Sequence, residues 1–242
     1  GELHITLSPD FAPMEFIDSS KDGQEQYVGL DVFLAKYIAD YIGVKLVIEP
    51  MSFDACQTAV YTASVPMSVS GYVWTEERAE SYEISDYYYD GDNKIEPVIL
   101  IRTADAEKYT SSEDFNGVDI GAQNASLQMQ LVTSQLPDAN PVAVGDVGTG
   151  VLELQNGSIE ALAVAKGNAE IIMDANPDLV LCPWEFTITE ETEAFVILIT
   201  KGETALLNVV NEALAKAYSE GMYGAWHDEA VALAKVVNGT EE

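Results

Sequence analysis

The order of apolar segments, which switch repeatedly between two periods, limits the possible folds of this chain more than any other feature. Residues 3–7 alternate as a strand, and Val32, Ala35, Ile38, Ala39 and Ile42 then recur at helical spacing over 31–42. Gly43 stops that helix, and residues 44–48 are strand-like again. A helix between two strands returns the chain in the same direction, so this β-α-β unit predicts parallel pairing. Residues 54–61 predict a second helix, and 67–69 a short strand feeding Gly71-Tyr72-Val73-Trp74.

Around residues 88–93, with Gly91 and acidic neighbours, the pattern breaks, and a strongly apolar strand follows at 95–101. A second α/β unit is predicted after it, with strands at 117–122, 141–144 and 159–164 and helices at 126–135 and 149–155. Pro183-Trp184 and the polar stretch 187–192 mark a second break. A strand at 194–200 and helices at 204–219 and 222–237 complete the pattern. Two units joined by two crossings, near 88–94 and 189–196, predict a lobe built from both ends of the chain, residues 1–90 and 193–242. Residues 93–190 form the second, inserted lobe. Ligands of open α/β sheets bind outside the carboxyl ends of the strands, so the expected site is a cleft between lobes, lined by the segments that follow each strand.

The chain has 242 residues, enough for two modest lobes, and its 48% hydrophobic share is that of a folded protein. Its charge narrows the function. Forty-one acidic residues against eleven basic ones give a formal net charge of -30. Nucleic acid is excluded, because phosphate-backbone affinity rests on Lys and Arg displacing counterions, and an anionic membrane surface is a poor partner. No apolar run approaches the roughly 18 residues of a membrane span. Any signal peptide is expected to have been removed. Cys56 and Cys182 have neither close spacing nor His neighbours, so they read as buried thiols, and no metal or cofactor pattern is present.

Several stretches carry a family resemblance. Phe11-Ala12-Pro13-Met14-Glu15-Phe16, Tyr27-Val28-Gly29-Leu30-Asp31-Val32-Phe33-Leu34-Ala35, Trp74-Thr75-Glu76-Glu77-Arg78 and Ile84-Ser85-Asp86-Tyr87-Tyr88 resemble the polar-amino-acid solute-binding proteins of ABC importers. The similarity continues through 117–128, 157–161, 200–202 and 211–223, in order over nearly the whole chain. It implies the two-lobed type II periplasmic-binding-protein clamshell, a monomer outside the cytoplasm, held in the periplasm or as a cell-surface lipoprotein. Its partners would be a small amino-acid-like ligand and a membrane permease, with no cofactor and no catalysis. It also implies that ligand closes the cleft by rotation at 89–93 and 189–192.

The resemblance assigns the ligand α-carboxylate to Arg78, whose guanidinium offers two parallel donors and keeps its charge at any biological pH. The residue-level alternative is an exposed Arg paired with Glu76 or Glu77. The family completes the carboxylate site with a hydroxyl and a helix-start N–H, here Ser126 and Leu127, and a helix N-terminus suits an anion. Ser126 could serve as the helix N-cap alone. Gly71 takes the place whose carbonyl meets the ligand amine, and Phe11 and Phe53 that of aromatic walls, with Tyr72 and Trp74 adding aromatic surface. Tyr87-Tyr88-Tyr89 is expected to pack the hinge.

The chain also departs from the family. The aspartate that binds the ammonium in many relatives is Ala165, another polar contact is Ser8, a hydroxyl position is Val73, and Pro66 replaces an acid. A buried ammonium without an acceptor costs several kcal/mol, so Asp10, Asp54 or Glu15 would have to supply one, or the ligand lacks the group. These replacements point toward an apolar or aromatic ligand, with a cationic one possible through aromatic faces. The rival readings on this fold are a receptor sensor module and a dehydratase. The second needs a general acid or base, and His4 and His227 both lie outside the motifs.

Overall fold

The computed structural model describes residues 1–88, 96–188 and 195–237. They fall into two compact units, one of residues 1–88 with 195–237 and one of residues 96–188. The expected crossings and hinge residues fall mostly on 89–95 and 189–194, outside the described residues.

The first unit opens with β1 (Glu2–Leu7), then β2 (Asp10–Phe11), β3 (Glu15–Ile17) and β4 (Tyr27–Val28), which make a small antiparallel sheet among themselves. The helix α1 (Leu30–Ile42), β5 (Lys45–Pro50), α2 (Phe53–Tyr61), β6 (Met67–Val73), α3 (Glu76–Ser81) and β7 (Glu83–Ile84) follow. The second unit holds β8 (Pro97–Arg102), β9 (Asp119–Gln123), α4 (Leu127–Gln135), β10 (Asn140–Val144), α5 (Val147–Asn156), β11 (Ala161–Ala165), α6 (Lys166–Ala175) and β12 (Leu179–Leu181). The chain then returns to the first unit with β13 (Phe195–Ile199), α7 (Thr204–Ser219) and α8 (Met222–Val237).

Each unit has one five-stranded sheet, ordered β5-β1-β6-β13-β7 in the first and β10-β9-β11-β8-β12 in the second. Three strands of each are parallel, as the β-α-β reading requires. The fourth runs antiparallel in both cases, β13 against β6 and β8 against β11. These strands do not arrive through a crossover helix, so nothing forces them into parallel register. Both faces of the central strands are covered, which is why β11 and β13 are buried at every residue. The helix α6, missed in the sequence, begins Lys166-Gly167-Asn168, and glycine and asparagine are weak helix formers.

The start of α1 is fixed by the loop before it. Its first free N–H groups, on Leu30 and Asp31, donate to the carbonyls of Pro13 and Met14 at 3.1 and 2.8 Å. Gly29 caps the helix at φ +120°, and a Cβ there would lie 2.3 Å from the Met14 carbonyl oxygen. Held this way, the first turn of α1 carries Asp31 into the interior. The carboxylate accepts the Gly71 N–H (2.7 Å) and the Tyr88 hydroxyl (2.8 Å). Glu15, equally buried beside Asp31, accepts the Ser70 hydroxyl at 2.6 Å. Glu15 Oε2 meets no N–H or O–H donor among the described residues, so ionisation of this acid leaves an oxygen without compensation. Burial and the Asp31 charge push Glu15 well above the usual carboxylate range, and burial raises Asp31 to about 6 against the pull of its donors.

Two predictions test this framework. Gly29→Ala combines a close backbone contact with a left-handed φ and should cost about 2–4 kcal/mol in urea unfolding. A midpoint equal to that of the parent would show that the loop can give way. The second follows from the acid pair. Both folded-state pKa values are raised, so the folded protein holds more protons than the unfolded chain above the ordinary carboxylate range. The stabilisation is therefore full near pH 4 and is lost as pH rises, through about 6 for Asp31 and through the raised value of Glu15. Glu15→Gln removes the Glu15 titration while leaving the acidic surface unchanged. The parent's stability relative to this variant should therefore fall as pH rises above the ordinary carboxylate range, by up to about 1.4 kcal/mol per pH unit. A constant difference would show that Glu15 is ionised in the fold.

Candidate functional site

The 2-1-3 order of the parallel strands gives each unit a point where successive connections diverge, between β1 and β6 in the first and between β9 and β11 in the second. Ser8 follows β1, and Gly71 lies near the carboxyl end of β6. Both sites are assembled there.

In the first unit, the Ser8 N–H donates to Ser70 Oγ (3.0 Å) and its hydroxyl to Asp10 Oδ1 (2.7 Å), tying the two strand ends together. Gly71 adopts φ +56°, and a Cβ at this position would lie 2.7 Å from the Phe11 ring. The glycine is thus the bed on which Phe11 rests. Phe11 packs edge-on against Phe195, Phe195 stacks on Tyr88, and Tyr88 donates to Asp31, which accepts from Gly71. The contacts close into a ring around the end of β6. Tyr88, expected to pack near the first crossing, also bridges to Phe195 through its backbone, whereas Tyr87 is exposed and Tyr89 lies outside the described residues.

Arg78 lies in α3, whose N-cap Thr75 accepts the Arg78 N–H at 3.2 Å. Its side chain is buried at 5% exposure, so the alternative of an exposed arginine does not describe it. Nη1 donates to the Val73 carbonyl (2.7 Å) and Nε to Gln57 Oε1 (3.4 Å), while the guanidinium carbon lies 5.3 Å from the Tyr72 ring centre and 5.9 Å from that of Phe53. Burial lowers its pKa, the direction expected for a desolvated cation. Among the described residues it is the one buried Lys or Arg. Tyr72, expected to add surface beside a ligand, is instead fully buried with its hydroxyl 2.9 Å from Ser68 Oγ. Strand alternation turns it away from the Gly71 and Val73 face, and it supports Phe53 (4.9 Å between ring centres) and Arg78 from behind. Phe53 is buried as well, and half-buried Trp74 packs against the same cluster. Val73 serves through its carbonyl, which its side chain does not affect.

In the second unit, Ser126 follows β9 and is the N-cap of α4, its Oγ accepting the Met129 N–H at 3.1 Å. Leu127 is the first residue of that helix, so its N–H precedes the first intrahelical acceptor. Ala125 before them adopts φ +59°. Ala165 ends β11, is buried, and provides no side-chain cap for α6. Of the acids considered as substitutes for it, Asp10 is engaged by Ser8, Asp54 by Ser52 at 2.6 Å, and Glu15 is sealed in the pair with Asp31. Sequence reasoning missed Asp31 and Ser70, although Asp31 stood inside the Gly29-Leu30-Asp31-Val32 motif. A carboxylate in the apolar first turn of a helix was the available signal. Cys56 and Cys182 are buried free thiols in separate units.

Comparison with known proteins follows this geometry. Residues 3–230 match the family of bacterial extracellular solute-binding proteins, family 3. A probable histidine-binding protein of Campylobacter jejuni is 24% identical over 222 residues, covering 91% of this chain and 81% of its own length. Among solved structures, the amino acid ABC transporter substrate-binding protein AbpA of Streptococcus pneumoniae, bound to L-arginine, superposes with a TM-score of 0.87. It is 27% identical, with 97% of this chain and 96% of that one covered. An ancestral arginine-binding protein bound to glutamine gives a TM-score of 0.83 at 26% identity, with 95% of this chain and 97% of that one covered. These relatives are solute-binding proteins, and the chain has their α/β fold. With its family model matched over nearly all its length, the chain belongs to the bacterial extracellular solute-binding proteins of family 3.

Proposed function

We propose that the protein binds a free L-amino acid outside the cytoplasm and, as a monomer, delivers it to an ABC permease. The observation that carries this reading is Arg78, the one buried cation among the described residues, placed beside the carboxyl end of β6. A desolvated guanidinium backed by two aromatic rings is a strong partner for a carboxylate. Ser126 and the Leu127 N–H would bind the same carboxylate from the second unit, the Gly71 carbonyl the ammonium, and Phe11 and Phe53 the side chain.

Relatives named for histidine and arginine, and the solved ones with arginine or glutamine, favour a polar or cationic side chain. The expectation of an apolar or aromatic ligand leaned partly on Tyr72, which is sealed in the core. Ser8 and Asp10 add polar groups near Phe11.

L-Arginine, L-histidine and L-glutamine should be screened by thermal shift, because a ligand that binds only the folded state must raise the melting temperature. For whichever binds, Arg78→Ala should weaken affinity by roughly 2–5 kcal/mol in calorimetry, and Arg78→Lys should recover only part. Unchanged affinity in a folded Arg78→Ala variant would remove Arg78 from the site.

A further inference from the structure

Asp31 stands outside every contact assigned to the ligand, yet it holds two of the residues that make them. It accepts the N–H of Gly71, and through Tyr88 and Phe195 it reaches Phe11 from the other side. Gly71 sits in a left-handed bend where its missing side chain leaves room for Phe11. Gly71 lies at an irregularity of the β6–β13 ladder, between the Ser68–Leu198 and Tyr72–Val196 pairs, and its N–H is given to Asp31.

We propose that Asp31 is a positioning residue of the amino-acid site, fixing the Gly71 peptide and the Phe11 ring in the geometry that receives ligand. This rests on the reading of Gly71 and Phe11 as ligand contacts. The count of donors gives it a signature. Ionised, Asp31 is a pure acceptor that holds two donors, the Gly71 N–H and the Tyr88 hydroxyl. A proton on Asp31 removes the charge that strengthens both bonds, and on the oxygen facing Tyr88 it is accommodated only when that hydroxyl turns round to accept. Acid therefore loosens the ligand site while the same protonation stabilises the fold.

The groups facing the pair are Asp10 on β2, Ser70 and Tyr72 on β6, Tyr88, and, near Tyr88, Tyr223 on α8. Burial raises the Tyr72 and Tyr88 hydroxyls well above their ordinary values, so both stay neutral in acid. Asp10 is tested by substitution.

The experiment follows the Gly71 amide by NMR in the full, ligand-free chain from about pH 5 to about pH 7.5, and measures L-arginine and L-glutamine affinity at both ends. Neither amino acid changes charge in this range. The Gly71 resonance should titrate with a midpoint near 6, persist in Asp10→Asn and vanish in Asp31→Asn. Affinity should fall about fivefold or more on going to the acid end. Should Asp31→Asn fail to fold, Tyr88→Phe removes one donor and should raise the Gly71 midpoint. A Gly71 amide flat across the range, or affinity equal at both ends while Gly71 titrates, would overturn the proposal. If neither amino acid binds at any pH, the ligand reading fails, and the Gly71 titration still decides whether Asp31 holds that peptide.

Discussion

A carboxylate can lie in a protein interior only where donors replace the water it has lost, and the burial of Asp31 organises the first unit on that condition. Its donors come from the end of β6 and from Tyr88, with Glu15 on β3 buried beside it. The helix α1 can present it there because Pro13 and Met14 occupy the first free N–H groups of that helix. Gly29 allows the approach, since any side chain would strike the Met14 carbonyl. The loop, the glycine and the acid of this short stretch thus answer to a single requirement, satisfying a buried charge.

Charge is distributed in this molecule with an unusual asymmetry. Acidic residues outnumber basic ones 41 to 11, yet the cation Arg78 sits buried in α3, just beyond β6, rather than on the surface that could use it. Surface pairs such as Lys166 with Glu96 and Lys21 with Asp18 are partly exposed and screened, so they offset little of the mutual repulsion. A buried guanidinium is different, because its solvation must come from fixed groups. The Val73 carbonyl, Gln57 and the faces of Tyr72 and Phe53 provide part of it. An anionic ligand would add a full opposite charge to these neutral groups.

Periodicity revealed the parallel strands and the long helices of both units, because 2.0- and 3.6-residue patterns survive wherever one face is buried. It missed α6, which starts on weak helix formers, and β12, which is only three residues long and paired to β8 by context. The small sheet of β2, β3 and β4 was equally invisible, since two- and three-residue strands carry no period. Arg78, Ser126 and Gly71 were singled out from motifs, and the full burial of Tyr72 was not legible, because type alone cannot say which face of a strand an aromatic occupies. Asp31 was overlooked for the opposite reason. In sequence it is one acid among 41, and only the fold shows that it lies inside.

The departures at positions 73 and 165 weigh less once backbone and side-chain roles are separated. Val73 contributes a carbonyl that orients Arg78, and any residue in that strand conformation offers the same group. Leu127 is relevant for an N–H and Gly71 for its φ of +56° and the space it leaves, so neither depends on a polar side chain. Ala165 differs from these, because a methyl cannot replace a carboxylate. Such a site can keep a ligand's carboxylate end while its side-chain and ammonium contacts drift. Divergence near 27% identity from a structure with a TM-score of 0.87 is what that division of labour permits.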